Sequence, residues 1–173
     1  VKTGLVVIAG EITSNAHVDY GQVARKTIAE IGYNDSALGF DAKSCGIVTA
    51  IEQQSADISK GVTEGQGLHS EQGAGAQAMM FGYACDETPE FMPATISYAH
   101  KLLQHLSNAR RNRDVKFLRP DAKSQVTAEY VNGKLTRVDT VVVSTQHDED
   151  VTHKDLIEYV VEKVVKRVIP GEL

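Results

Sequence analysis

The sequence predicts an α+β fold in which mixed and largely antiparallel sheets carry helices on one face. Three observations predict it. The chain opens with a buried-strand run, Leu5-Val6-Val7-Ile8-Ala9; apolar residues recur at helical spacing after Pro93; and Asn132-Gly133 separates two alternating segments, the strongest short hairpin signal. Strand and helix signals interleave without the strict repeat of a parallel α/β protein, which favours helices laid over one side of the sheets.

In chain order, Val1 to Ile12 is β-rich. Val1 is not Met and no cap or turn precedes the apolar run, so the sequence is expected to begin inside a fold. Thr13-Ser14-Asn15 turns into a helix over Tyr20 to Ile31, with Ala24, Thr27, Ile28 and Ile31 on one face and Gly32 as its C-cap. A second strand is expected near Cys45 to Ile51. From Gln53 to Ala76 glycines and polar residues dominate, and a stretch of that length without apolar mass is expected to be a mobile loop. Met79 to Ala84 returns to strand character. Ile96, Ala99, Leu103 and Leu106, with Leu102 beside them, predict the helix after Pro93. Beyond Pro120 the hairpin follows, and Thr152-His153-Lys154-Asp155 is a capping box opening a helix with Leu156, Val160, Val161, Val164 and Val165 as its stripe. Two units result: residues 1–76, ending in the glycine-rich loop, and residues 77–173, in the order β-α-β-hairpin-α.

The 173 residues are 42% apolar and 24% charged, with a formal net charge of −5. A chain this long buries roughly 70% of its unfolded surface, so no metal or disulfide staple is needed. Cys45 and Cys85 form no C-x-x-C pair, which excludes a zinc ribbon and fits a reducing, cytoplasmic setting. No stretch reaches the roughly 20 apolar residues that cross a bilayer. Charge is uneven: Lys101 to Lys123 holds seven basic residues against Asp114 and Asp121, in an otherwise acidic chain. That pattern suits one specific anion, such as phosphate, better than a nucleic acid or a membrane surface.

Gly73-Ala74-Gly75-Ala76-Gln77-Ala78 matches a dinucleotide fingerprint in letters, but the strand before it and the helix after it are lacking. Gly39 to Ser44 resembles the tail of a P-loop without the glycine before lysine, and reads as a turn. His147-Asp148-Glu149-Asp150 with His153 has metal-ligand residue types, yet acids there also suit the start of the next helix, and no metal ligand is assigned. Arg119-Pro120-Asp121-Ala122-Lys123 is sharper. In extended backbone Asp121 and Lys123 point to one side, open either to a shared ligand or to a surface ion pair. Glu11 directly follows the first strand, as an exposed strand end or as an acceptor for an ammonium group.

Taken together, Gly10-Glu11-Ile12-Thr13, Ile31-Gly32-Tyr33, Gly39-Phe40-Asp41, Gln54-Ser55-Ala56-Asp57-Ile58, Glu71-Gln72-Gly73-Ala74-Gly75, Met80-Phe81-Gly82-Tyr83-Ala84, the run Leu118 to Thr127 and Ser144-Thr145-Gln146-His147 closely resemble the S-adenosylmethionine synthase family. The resemblance runs through the whole chain in family order. It implies a methionine adenosyltransferase, a transferase in which the sulfur of L-methionine attacks C5′ of ATP; the triphosphate leaves and is cleaved to phosphate and diphosphate. By the family's pattern Glu11 and Gln54 contact methionine, Asp121, Ala122 and Lys123 contact ATP, and Lys123 faces the phosphates as the catalytic cation. Gln54, Ser55, Asp57, Lys60, Gly61 and Glu64 fall in the family's mobile loop. Mg2+ and K+ are implied as cofactors, with their main ligands outside these residues, and a homodimer or dimer of dimers as the assembly. Ala76 stands where the family has an aspartate and Ala78 where it has a glycine. The family's full chain is more than twice as long, so the alternative is a non-catalytic piece that keeps only the scaffold or dimer surface.

Overall fold

The computed structural model describes residues 4–68, 70–73 and 79–173. The chain divides into two compact units, Val1–Phe81 and Gly82–Leu173.

In the first unit β1 (Leu5–Ile12) and β2 (Gly46–Gln53) pair in parallel, joined by α1 (Tyr20–Ile31). Parallel strands need a crossover, and α1 supplies it. Asp19 caps α1: its carboxylate accepts the Gln22 N–H at 2.9 Å. Gly32 ends the helix at φ 115°, where the Gly32 and Tyr33 N–H groups reach back to the Ile28 carbonyl. Val6, Ile28, Ala42 and Cys45 are the buried core, with Ile8, Ala29, Tyr33, Phe40 and Ile47 packed against it. Of the expected α1 stripe, Ile28 is buried and Ala24 half-buried, while Thr27 and Ile31 are exposed.

The segment entering β2 is a tightly tied turn, as its sequence suggests. Asp41 accepts N–H bonds from Lys43 (2.8 Å) and Ser44 (3.1 Å), and the Ser44 hydroxyl also donates to it. These bonds hold the Asp41 carboxyl below the ordinary aspartate range, the Ser44 hydroxyl having the largest effect. The Arg25 guanidinium donates to the carbonyls of Ala42 (2.7 Å), Lys43 (3.1 Å) and Cys45 (3.0 Å), fastening α1 to this turn.

The stretch expected to lack structure contains a short helix, α2 (Ala56–Val62), capped by Ser55 with Asp57 in its first turn and Lys60 in its last. Ser, Asp and Lys at those positions are helix signals in their own right, and the surrounding glycines mask them.

In the second unit α3 (Ala94–Arg111) lies on the hairpin of β3 (Leu118–Val131) and β4 (Lys134–His147). Asn132 and Gly133 take φ 51° and 76°, the left-handed pair that a two-residue turn demands. The core gathers Ala99, Leu102, Leu106 and Ala109 of α3, Leu118 and Val126 of β3, and Val164. The buried face of α3 is turned slightly from the expected stripe, leaving Ile96 exposed. The last helix starts as α4 (His153–Tyr159) and widens into a π-helical stretch, Val160–Val165, before a final turn, Lys166–Val168. Thr152 and Asp155 form the expected cap, the Thr152 hydroxyl accepting the Asp155 N–H at 3.2 Å. Val164 is fully buried, whereas Val161 is exposed.

One expected element is not found. Met79 to Ala84 forms no strand, and Phe81 is 89% exposed. Its residue types suit a strand, but strands need partners, and among the described residues none is offered. The second unit therefore opens with α3. Among the described residues no helix is long and apolar enough to cross a membrane. Cys45 and Cys85 are free thiols.

Candidate functional site

In the first unit the parallel register decides which side chains meet. β1 and β2 pair from Leu5↔Gly46 to Ile12↔Gln53, so their carboxyl ends finish together and Glu11 lies beside Glu52. Both glutamates are exposed. Pairing continues one step beyond the strands, where the Gln54 N–H donates to the Ile12 carbonyl at 3.2 Å. There the Thr13 hydroxyl donates to Oε1 of Gln54, also at 3.2 Å. Glu11 and Gln54, 43 positions apart, thus occupy one end of one strand pair. Thr13 joins them as a third polar group, one that the sequence could not single out, because only the strand register brings it to Gln54.

Gln54 leads directly into α2. Ser55 accepts the Ile58 N–H at 3.4 Å, and Lys60 pairs with Asp57 at 3.6 Å on the exposed surface. Gly61 and Glu64 are exposed. After Val62 the chain loops out and returns at Gly73, whose N–H donates to the Val62 carbonyl at 3.2 Å. A Cβ at Gly73 would stand 2.2 Å from the Gly61 carbonyl oxygen. A hollow of about 670 Å³ lies inside this excursion, with Lys60, Thr63 and Glu71 among its walls. Ala74, Gly75, Ala76, Gln77 and Ala78 lie outside the described residues.

In the second unit Asp121, Lys123 and Gln125 alternate as exposed residues with the half-buried Ala122 and Ser124, as the extended reading of β3 requires. Ser144, opposite Lys123 in the register, is exposed with them. Among the described residues neither Asp121 nor Lys123 joins a salt bridge. The Ala122 side chain turns to the other face, where it lines a small hollow of about 160 Å³ together with Arg110, Arg119 and Thr145. The register slips between Leu118 and Ala122, at Pro120, which cannot supply a ladder N–H. This irregularity sits directly before Asp121.

The basic island is partly neutralised within its own unit. Arg119 pairs with Asp148, and Lys101 with Glu90 at 2.9 Å. Asp148, one of the residues with metal-ligand chemistry in the stretch His147 to Asp150, is thus engaged with Arg119. Among the described residues no three His, Cys, Asp or Glu side chains gather as a metal site would need. The Oε1 of Gln146 is buried without a partner among the described residues.

Away from these groups, Glu87 joins the hairpin to α3. Its Oε2 accepts the Ala94 N–H at 2.9 Å and the Tyr130 hydroxyl at 2.7 Å. The Ala94 bond, followed by the Tyr130 bond, holds the Glu87 carboxyl below the ordinary glutamate range. The same contact pushes the Tyr130 phenol up to about 12.

Comparison with known proteins agrees with the residue pattern. The model of the S-adenosylmethionine synthetase N-terminal domain matches residues 1–56, and that of the central domain matches residues 71–173. An S-adenosylmethionine synthase of Desulfosudis oleivorans is 55% identical over all 173 residues, and the chain spans 45% of that relative's length. The two domain models match in order along most of the sequence, and the chain belongs to the S-adenosylmethionine synthetase family.

Proposed function

We propose that this chain carries the amino-acid end and one nucleotide-binding strand of a methionine adenosyltransferase, which makes S-adenosylmethionine, phosphate and diphosphate from ATP, L-methionine and water. The 55% identity along the entire chain is the observation that carries the reading. Glu11 accepts from the substrate ammonium, and Gln54 contacts the same amino acid. Asp121 and Ala122 meet ATP, and Lys123 faces its phosphates. The exposed Asp121–Lys123 face of β3 and the shared end of β1 and β2 support these roles.

The chemistry asks little of a general base. A thioether sulfur has no proton to remove, so in-line displacement at C5′ depends on alignment and on stabilising the departing polyanion. Lys123, an ammonium on a flexible stem, suits the second task. The segment from Gln54 through Glu64, with α2 at its centre, closes over the reactants and excludes water. Mg2+ and K+ accompany the family's reaction; the described residues form no cluster that fits such an ion, so none is assigned to it. Val7 and Val48, register partners that are 56% and 52% exposed, support burial of the β1–β2 face in a homodimer or dimer of dimers. The protein is assigned to the cytoplasm.

The test is direct: the full-length gene product, incubated with ATP, L-methionine, Mg2+ and K+, is expected to release S-adenosylmethionine together with phosphate and diphosphate. A folded full-length product that forms none sinks the proposal.

A further inference from the structure

We propose that Thr13 is a positioning residue: its hydroxyl fixes which end of the Gln54 side chain faces an amino-acid substrate. The inference rests on the methionine pocket proposed above and adds to it a residue that touches no substrate. Thr13 follows β1 and Gln54 follows β2, and the in-register ladder brings them within a 3.2 Å hydrogen bond.

A glutamine amide has two unlike ends, an acceptor oxygen and an NH2 with two donors. Turning the terminal torsion by half a rotation exchanges them. With the Thr13 hydroxyl donating to Oε1, the oxygen is engaged and Nε2, which has no acceptor among the described residues, is left to donate. A donating amide beside the acceptor-only Glu11 sorts the two charged groups of an α-amino acid. The ammonium goes to Glu11 and the carboxylate to Gln54. Glu52, next to Glu11 in the register, adds a second negative charge and makes the reverse placement of the carboxylate unfavourable. Without the hydroxyl the amide is free to present its oxygen, and an oxygen facing a carboxylate repels it.

Valine matches threonine in shape and lacks the donor, so Thr13→Val isolates the hydroxyl. In the full-length gene product, Thr13→Val is expected to raise KM for L-methionine roughly tenfold, the effect of one misplaced charge-assisted hydrogen bond, with KM for ATP changed less than about twofold. Thr13→Ser keeps the donor and is expected to restore the original value. Methioninol, which lacks the carboxylate, serves as the second probe: the preference for methionine over methioninol narrows in Thr13→Val, which a general loss of structure would not produce. An unchanged methionine KM in Thr13→Val, or no rescue by serine, overturns the role of Thr13. Gln54→Ala separates the two levels. If it raises methionine KM while Thr13→Val does not, the positioning inference alone falls; if it leaves methionine KM untouched, the pocket reading falls with it.

Discussion

Gly73 shows how much a single side chain can forbid. Its missing Cβ would lie 2.2 Å from the Gly61 oxygen and 3.2 Å from both the Gly61 carbonyl carbon and the Val62 Cα, all backbone atoms that no rotamer change can move. Gly73→Ala is therefore expected to lift the returning chain off the end of α2 and break its N–H bond to Val62. Limited proteolysis reads this as faster cleavage between Thr63 and Gln72, and wild-type cleavage rates would show that the contact is dispensable. Residues of this kind were partly legible in the sequence. Gly32, Asn132 and Gly133 announce themselves because a left-handed backbone is a local requirement. The closeness of Gly73 to Gly61 is not local, and neither is the Thr13 bond to Gln54.

At the scale of elements, legibility follows the same division. The Thr152 and Asp155 cap needs only four residues to be recognised, whereas the π-helical stretch Val160–Val165, which carries the buried Val164, has no such local signal. Met79 to Ala84 carries strand-forming residues yet finds no partner among the described residues, since pairing is a property of two segments and not one. α3 is the reverse case: its helical period was plain, and tertiary packing chose Leu102, fully buried, as the centre of its inner face. Leu102→Ala is expected to destabilise the protein by about 2–5 kcal/mol, the range for emptying a buried leucine site. Chemical denaturation measures it, and a loss under about 1 kcal/mol would mean that the core closes over the gap. Glu87 predicts a pH effect for the same helix. Its folded-state pKa is lowered by the Ala94 and Tyr130 bonds, so its contribution is fully present above the ordinary value of 4.5 and is lost as pH falls through the depressed one. The stability gap between wild type and Glu87→Gln should accordingly shrink on acidification below about 4.5. A gap that stays constant from neutral pH to 3 would remove the linkage.

For the whole molecule, each unit carries its own proposed substrate contacts: Glu11 and Gln54 belong to Val1–Phe81, and Asp121, Ala122 and Lys123 to Gly82–Leu173. Family resemblance singled these groups out: the alternation of β3 predicts only that Asp121 and Lys123 share a face, Gln54 fell in a stretch read as a loop, and Ala122 turns to the opposite face from Asp121 and Lys123. Their division of labour makes a kinetic prediction. In the proposed role Glu11 would hold the substrate ammonium equally in ground and transition states, so Glu11→Gln in the full-length gene product is expected to raise KM for methionine while leaving kcat nearly unchanged. In the proposed role Lys123 would face charge that moves away from C5′ only as the bond breaks, so Lys123→Met is expected to lower kcat by about 10²–10³, with a smaller effect on KM for ATP. Initial rates with each substrate varied in turn distinguish the two signatures. Should Lys123→Met alter only KM for ATP, the ammonium binds the nucleotide without favouring the leaving polyanion. Should Glu11→Gln leave methionine KM unaltered, the shared end of the two parallel strands is not where the amino acid is held, and the exposed carboxylates of Glu11 and Glu52 are a solvated strand terminus.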